Sequence, residues 1–203
     1  MNRIESILRM GPVIPVLVID SPEEGVLIAE ALVAGGLRVL EVTLRTAGAL
    51  EVIRAMKRVP GAVVGAGTVL NIRDLDAAIA AGAEFIVSPG LTERLAHAAI
   101  DREIPFLPGV ADAGDIMRGL DLGLDRFKFF PAEAAGGLKA LKALAAPFRN
   151  VRFCPTGGIT QATAPDWLAE ETVLCVGGSW LVGKGVPDRS TIRAAAEAAA
   201  ALA

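Results

Sequence analysis

The most chemically suggestive residue in this chain is a lysine set in an apolar run. In Gly123 to Glu133, G-L-D-R-F-K-F-F-P-A-E, Lys128 stands among phenylalanines and the run ends at Pro131. That is the composition of a short strand opening into a loop. Alternation along a strand puts Arg126, Lys128 and Phe130 on one face and Phe127 and Phe129 on the other. A buried ammonium either finds a carboxylate or shifts toward the neutral amine. A neutral amine attacks carbonyl carbons. The alternative is a lysine that snorkels from the strand end to solvent.

Other strand ends gather further polar groups. In Val39 to Arg45, Glu41, Thr43 and Arg45 share one face, and Leu40, Val42 and Leu44 the other. Thr68, Ser88-Pro89-Gly90 and Gly109 follow, then Thr156-Gly157-Gly158 and Gly177-Gly178-Ser179. Glycines let backbone N–H groups approach an anion, and a short helix expected near Ser179 would aim its N-terminus at the same place. Lysine, carboxylate, arginine and an anion cradle together describe imine chemistry on a phosphorylated 2-keto acid. The lysine condenses with the ketone, the carboxylate moves protons and the arginine holds an anionic group.

These side chains need a scaffold that brings many strand ends together. The chain supplies eight strand-helix units: Val13–Ile19 with Pro22–Ala34, Val39–Leu44 with Gly48–Val59, Ala62–Thr68 with Asn71–Ala81, and Phe85–Ser88 with Thr92–Asp101. Pro105–Gly109 with Ala113–Leu122, Arg126–Phe130 with Leu138–Ala145, Arg152–Thr156 with Ala162–Glu170, and Val173–Gly177 with Thr191–Ala201 complete the series. Pro15 within the first strand predicts a bulge or an irregular first half. Eight such units in 203 residues fit one α/β domain, residues 1–203, folded as a (β/α)8 TIM barrel with an N-terminal capping helix. An open doubly wound sheet is the alternative, but Ile19-Asp20-Ser21-Pro22 is not its Gly-rich turn, and Gly65-Ala66-Gly67-Thr68 is a weak dinucleotide fingerprint.

Composition narrows the partners. A net charge of −3 with mixed signs and 4% aromatic residues argues against nucleic acid. No apolar run reaches membrane-spanning length, and Met1–Met10 reads as a short helix without a signal-peptide pattern, so a cytoplasmic protein is expected. Cys154 and Cys175 are expected to be reduced core residues. The single histidine, His97, and the cysteine spacing leave a metal site without its usual ligands, so no metal or other cofactor is expected.

Six blocks in order closely resemble the 2-keto-3-deoxy-6-phosphogluconate (KDPG) and 4-hydroxy-2-oxoglutarate (KHG) aldolase family. They are L-E-V-T-L-R-T from Leu40, V-G-A-G-T-V-L-N from Val64, S-P-G-L-T from Ser88, F-K-F-F-P-A-E from Phe127, R-F-C-P-T-G-G-I from Arg152 and G-G-S-W-L-V from Gly177. The 6-phosphogalactonate aldolases share part of the pattern. The resemblance implies that Lys128 forms the Schiff base and that Glu41 is the general acid/base. It implies that Arg45 and Thr68 bind the pyruvyl carboxylate, with Pro89 and Phe130 as walls. Thr156, Gly157, Gly158, Gly177, Gly178 and Ser179 would line the substrate tail and phosphate site, and the assembly would be a homotrimer. Non-covalent alternatives on the same barrel are a phosphosugar isomerase or synthase and a phosphometabolite-binding protein. Two stretches depart from the family: Ala111-Asp112-Ala113-Gly114-Asp115, and the short Gly183-Lys184-Gly185.

Overall fold

The computed structural model describes residues 3–183 and 185–202. Helix α1 (Arg3–Leu8) leads into β1 (Val13–Leu17), α2 (Pro22–Ala34), β2 (Val39–Thr43), α3 (Ala49–Met56), β3 (Val63–Gly67) and α4 (Ile72–Ala81). There follow β4 (Ile86–Val87), α5 (Glu93–Asp101), β5 (Phe106–Leu107), β6 (Gly109–Val110), α6 (Ala113–Asp121) and β7 (Arg126–Phe129). Then come α7 (Gly137–Ala145), β8 (Arg152–Pro155), α8 (Ala164–Leu168), β9 (Val176–Gly178) and α9 (Arg189–Ala200).

Every strand pairing is parallel. The order is β5-β4-β3-β2-β1-β9 in one sheet and β6-β7-β8 in the other, and bridges Phe153↔Val173 and Thr156↔Gly177 run between the flanks of β8 and β9. The result is an α/β fold with a curled parallel sheet. From β5 to β1 each strand lies beside its neighbour in chain order, and the last strand, β9, lies beside the first.

Several elements are shorter than their sequence pattern. The strand expected over Pro105–Gly109 splits into β5 and β6 at Pro108, which has no N–H for a ladder. The bulge expected at Pro15 does not form toward β9, where Val13, Ile14 and Pro15 pair in unbroken register. Toward β2, pairing starts at Val16, just after the residue that lacks a donor. Val173 makes only an isolated bridge, so the last strand starts at Val176. Asn71 and Thr92 belong to caps: their side chains accept from Asp74 N and Leu95 N, satisfying donors at the starts of α4 and α5. Ser21 does the same for α2, with Pro22 in its first turn and Gly35 at its end. In the divergent stretch before α6, Asp112 accepts from Asp115 N at 2.9 Å while Asp115 accepts from Ala111 N at 2.9 Å, a reciprocal cap.

Alternation divides the core in two. Leu40, Val42, Val64, Ala66, Phe127, Phe129 and Phe153 pack with the helices. On the opposite face Ile14, Val39, Phe85, Val87, Leu107, Cys154 and Cys175 form a second cluster with Ile4, Ile7 and Leu8 of α1. Both cysteines are free and buried, and a hydrogen bond with Cys154, together with burial, pushes the Cys175 thiol well up. His97 is exposed on α5. No described helix is long and apolar enough to cross a membrane.

Besides its apolar face, α1 is held by Glu5. Arg126 Nε and Nη2 both donate to Glu5 Oε2, at 2.9 and 2.7 Å, and Arg9 Nε donates to Oε1 at 2.7 Å. The hydrogen bonds from Arg9 and then Arg126 hold the Glu5 carboxyl below the ordinary glutamate value of 4.5. A depressed folded-state value means that this contribution is complete above the unfolded-state value and is lost as pH falls through the folded one. Thermal unfolding midpoints should therefore fall more steeply for the native chain than for Glu5→Gln as pH drops below about 4.5. Parallel curves would rule out this role.

Candidate active site

Strand β7 carries Lys128 into the cluster face, with Phe127 and Phe129 locked on the other side at 0% and 1% exposure. A fully buried phenylalanine is worth about 1.5–3 kcal/mol, so the pair can hold the strand against the several kcal/mol of desolvation that a buried lysine brings. Lys128 is 5% exposed, which removes the snorkelling alternative. Its Nζ donates to Glu41 Oε1 at 3.2 Å and lies 5.3 Å from the centre of the Phe130 ring. Glu41, on β2, is 4% exposed. The buried ammonium has thus found a carboxylate, and that carboxylate is the nearest group able to take its proton.

The other polar members of β2 divide. Thr43 is fully buried and its Oγ1 donates to Leu17 O at 2.9 Å, so this hydroxyl ties β2 to β1. Arg45 lies past the strand end, exposed, and donates from Nε to Thr68 Oγ1 at 3.4 Å. Thr68 has φ +59, in the left-handed region that a β-branched residue rarely adopts. After β4, Ser88 Oγ donates to Gly90 O at 2.6 Å and so fixes the turn that presents Pro89. The peptide between Phe130 and Pro131 is cis.

Thr156 is 6% exposed and bridges Gly177, so the two glycine-rich ends lie side by side. Gly157 and Gly158 have φ +108 and +83, which suits glycine and turns the backbone at the strand end. Ser179 is exposed. The helix expected near Ser179 does not form: Ser179 to Val182 make a bend and a turn, and the next regular element is α9. An anion held here would therefore lack the short helix expected behind Ser179. Of the short stretch that follows, Lys184 lies outside the described residues.

How the lysine loop joins this cradle is decided by contacts between distant parts of the chain. Ala132 N donates to Thr156 O at 2.8 Å and Glu133 N donates to Gly157 O at 3.0 Å. Trp167 Nε1 of α8 donates to Glu133 Oε1 at 3.2 Å. The only signal in the sequence was Gly158, which a Cβ would bring to 2.7 Å from the Glu133 side chain.

A family model for KDPG and KHG aldolases matches residues 4–195. The chain belongs to the KDPG and KHG aldolase family. The 2-dehydro-3-deoxy-phosphogluconate aldolase of Zymomonas mobilis is 62% identical over 202 residues, covering 100% of this chain and 97% of the relative. A crystal structure of the Zymomonas mobilis KDPG aldolase with 3-phosphoglycerate superposes at a TM-score of 0.98, with 61% identity and coverage of 100% and 97%. The KDPG aldolase of Legionella pneumophila, with pyruvate captured as a covalent carbinolamine intermediate, superposes at 0.94, with 42% identity and 98% of each chain covered.

Proposed function

We propose that this chain is a Schiff-base aldolase, a carbon–carbon lyase. It cleaves 2-keto-3-deoxy-6-phosphogluconate to pyruvate and glyceraldehyde 3-phosphate, and also 4-hydroxy-2-oxoglutarate to pyruvate and glyoxylate. The observation that carries this reading is the buried Lys128 Nζ, 3.2 Å from a buried Glu41 oxygen. Lys128 passes a proton to Glu41 and its amine adds to the C2 carbonyl, giving a carbinolamine; Glu41 then gives that proton to the departing hydroxyl, which leaves as water, so that a protonated imine and a carboxylate remain. Glu41, directly or through a water, takes the proton of the C4 hydroxyl. The C3–C4 bond breaks, its electron pair moves toward the imine nitrogen to form an enamine, and the aldehyde departs. The enamine takes a proton at C3, and water returns at C2 to release pyruvate and the free lysine.

In this reading Arg45 and Thr68 hold the pyruvyl carboxylate. Pro89 and Phe130 wall that end of the site. Thr156, Gly157, Gly158, Gly177, Gly178 and Ser179 receive the substrate tail and its phosphate. The reading includes one domain over residues 1–203, a closed (β/α)8 barrel capped by α1, a homotrimer and a cytoplasmic enzyme. Barrel closure is supported by the Phe153↔Val173 and Thr156↔Gly177 bridges and by continuity of chain from β5 to β6.

Pyruvate with borohydride should leave a reduced adduct whose mass maps to Lys128. A chain that turns over the six-carbon phosphate without labelling there would exclude the covalent route. Thr68 offers a second check. Thr68→Gly should relieve the left-handed strain and stabilise the fold by about 1 kcal/mol in denaturant unfolding, while raising KM about tenfold through the lost carboxylate contact. Lower stability with unchanged KM would contradict both roles.

A further inference from the structure

Strand β3 reads V-V-G-A-G. Alternation sends Val64 and Ala66, both 0% exposed, into the helix-side core, and turns Gly65 and Gly67 toward the face that holds Lys128 and Glu41. At these two positions β3 therefore adds no side chain to that face. At Gly65 the space is filled by Phe85, whose ring would lie 2.4 Å from an added Cβ. At Gly67 it is filled by Glu41. A Cβ there would meet Glu41 Oε1 at 2.1 Å and its Cδ and Cγ at 2.7 Å, and all three nearest atoms belong to that one side chain.

Two details separate this glycine from an ordinary turn signal. Its φ lies outside the left-handed region, so no backbone conformation demands glycine, and a glycine within a strand weakens it. Space is what it provides. The strand register pairs Glu41 with Gly65 and Thr43 with Gly67. The Glu41 side chain therefore leans two residues along its neighbour, toward the C-terminal end of the sheet, to lie over Gly67. The oxygen nearest the missing Cβ is also the one that accepts from Lys128.

We infer that Gly67 is a positioning residue for the aldol reaction: its bare Cα is the seat on which the Glu41 carboxylate rests to face the lysine and the C4 hydroxyl. This rests on the aldolase reading. A methyl group at position 67 lifts the Glu41 carboxylate away from its proton-transfer position and leaves the groups that hold the pyruvyl carboxylate, Arg45 and Thr68, where they are.

The test is Gly67→Ala, alone and combined with changes at Glu41. Gly67→Ala should lower kcat for the six-carbon phosphate about 100-fold, with KM changed less than about threefold. Borohydride and pyruvate should still label Lys128. In the Gly67→Ala background, Glu41→Gln should cost less than about threefold more, because the carboxylate it removes is already displaced. Losses that multiply, or a kcat within about threefold of the native chain, overturn the inference. If Gly67→Ala does not fold, Gly67→Ala/Glu41→Ala decides. Recovery of a cooperative melt supports the seat, since only Glu41 would have collided, and failure to recover overturns it. Absence of the adduct in the unmodified chain would count instead against the aldolase reading itself, whatever the variants do.

Discussion

Lys128→Arg is expected to lower cleavage of the six-carbon phosphate by at least about four orders of magnitude. A guanidinium keeps the positive charge beside Glu41 but does not deprotonate to attack a ketone. The ion pair at 3.2 Å thus has a cationic replacement while the nucleophile is gone. Lys128→Met separates the two effects from the other side. It matches the apolar volume and leaves Glu41, 4% exposed, without its partner, a situation that costs about 3–5 kcal/mol when one member of a buried pair is removed. Steady-state rates with a coupled pyruvate assay, beside thermal melts, measure both. If Lys128→Arg kept more than about one hundredth of the native rate, the lysine would be acting only as a charge, as in oxyanion stabilisation.

Glu41→Gln should leave the first half of the reaction slow but detectable and the second half badly impaired. The amide fills the same space over Gly67 and can accept a hydrogen bond from Lys128, but it cannot take a proton from the amine or from the C4 hydroxyl. Loss of general acid/base action is worth about two to four orders of magnitude, so carbon–carbon cleavage should drop by about a hundredfold or more. Labelling of Lys128 by pyruvate and borohydride should persist at a reduced rate, read by mass spectrometry in a time course. A Glu41→Gln chain with near-native turnover would place the proton transfers on another group.

The seriousness of both substitutions was legible from residue order alone. Apolar residues flank Lys128, and a period of two gave Glu41 the opposite face from Leu40 and Val42, so a strand model already implied burial of both. The eight strand-helix units were likewise visible, because buried parallel strands are apolar runs and the helices between them begin at residues such as Ser21, Asn71 and Thr92, whose side chains cap exposed donors. Element ends were not. Pro108 splits a strand by removing one donor, and Ser179 to Val182 turn without making a helix, outcomes that depend on which neighbouring backbone is within reach.

Sequence by itself determined which side chains lie on which face and the kind of chemistry they can do, because alternation and residue type are local properties. The meeting of Lys128 with Glu41, 87 positions apart, is a matter of the curl of the sheet, which brings β7 opposite β2. The same holds for Thr43, which the sequence grouped with the site and the fold commits to Leu17 O, and for Thr156 bridging Gly177. It holds most clearly for Gly67. In the sequence it is half of an unconvincing glycine pair, and only the packed side chain above it reveals that its function is to be small. Contacts between distant strands follow from where packing puts them, and no local pattern carries that distance.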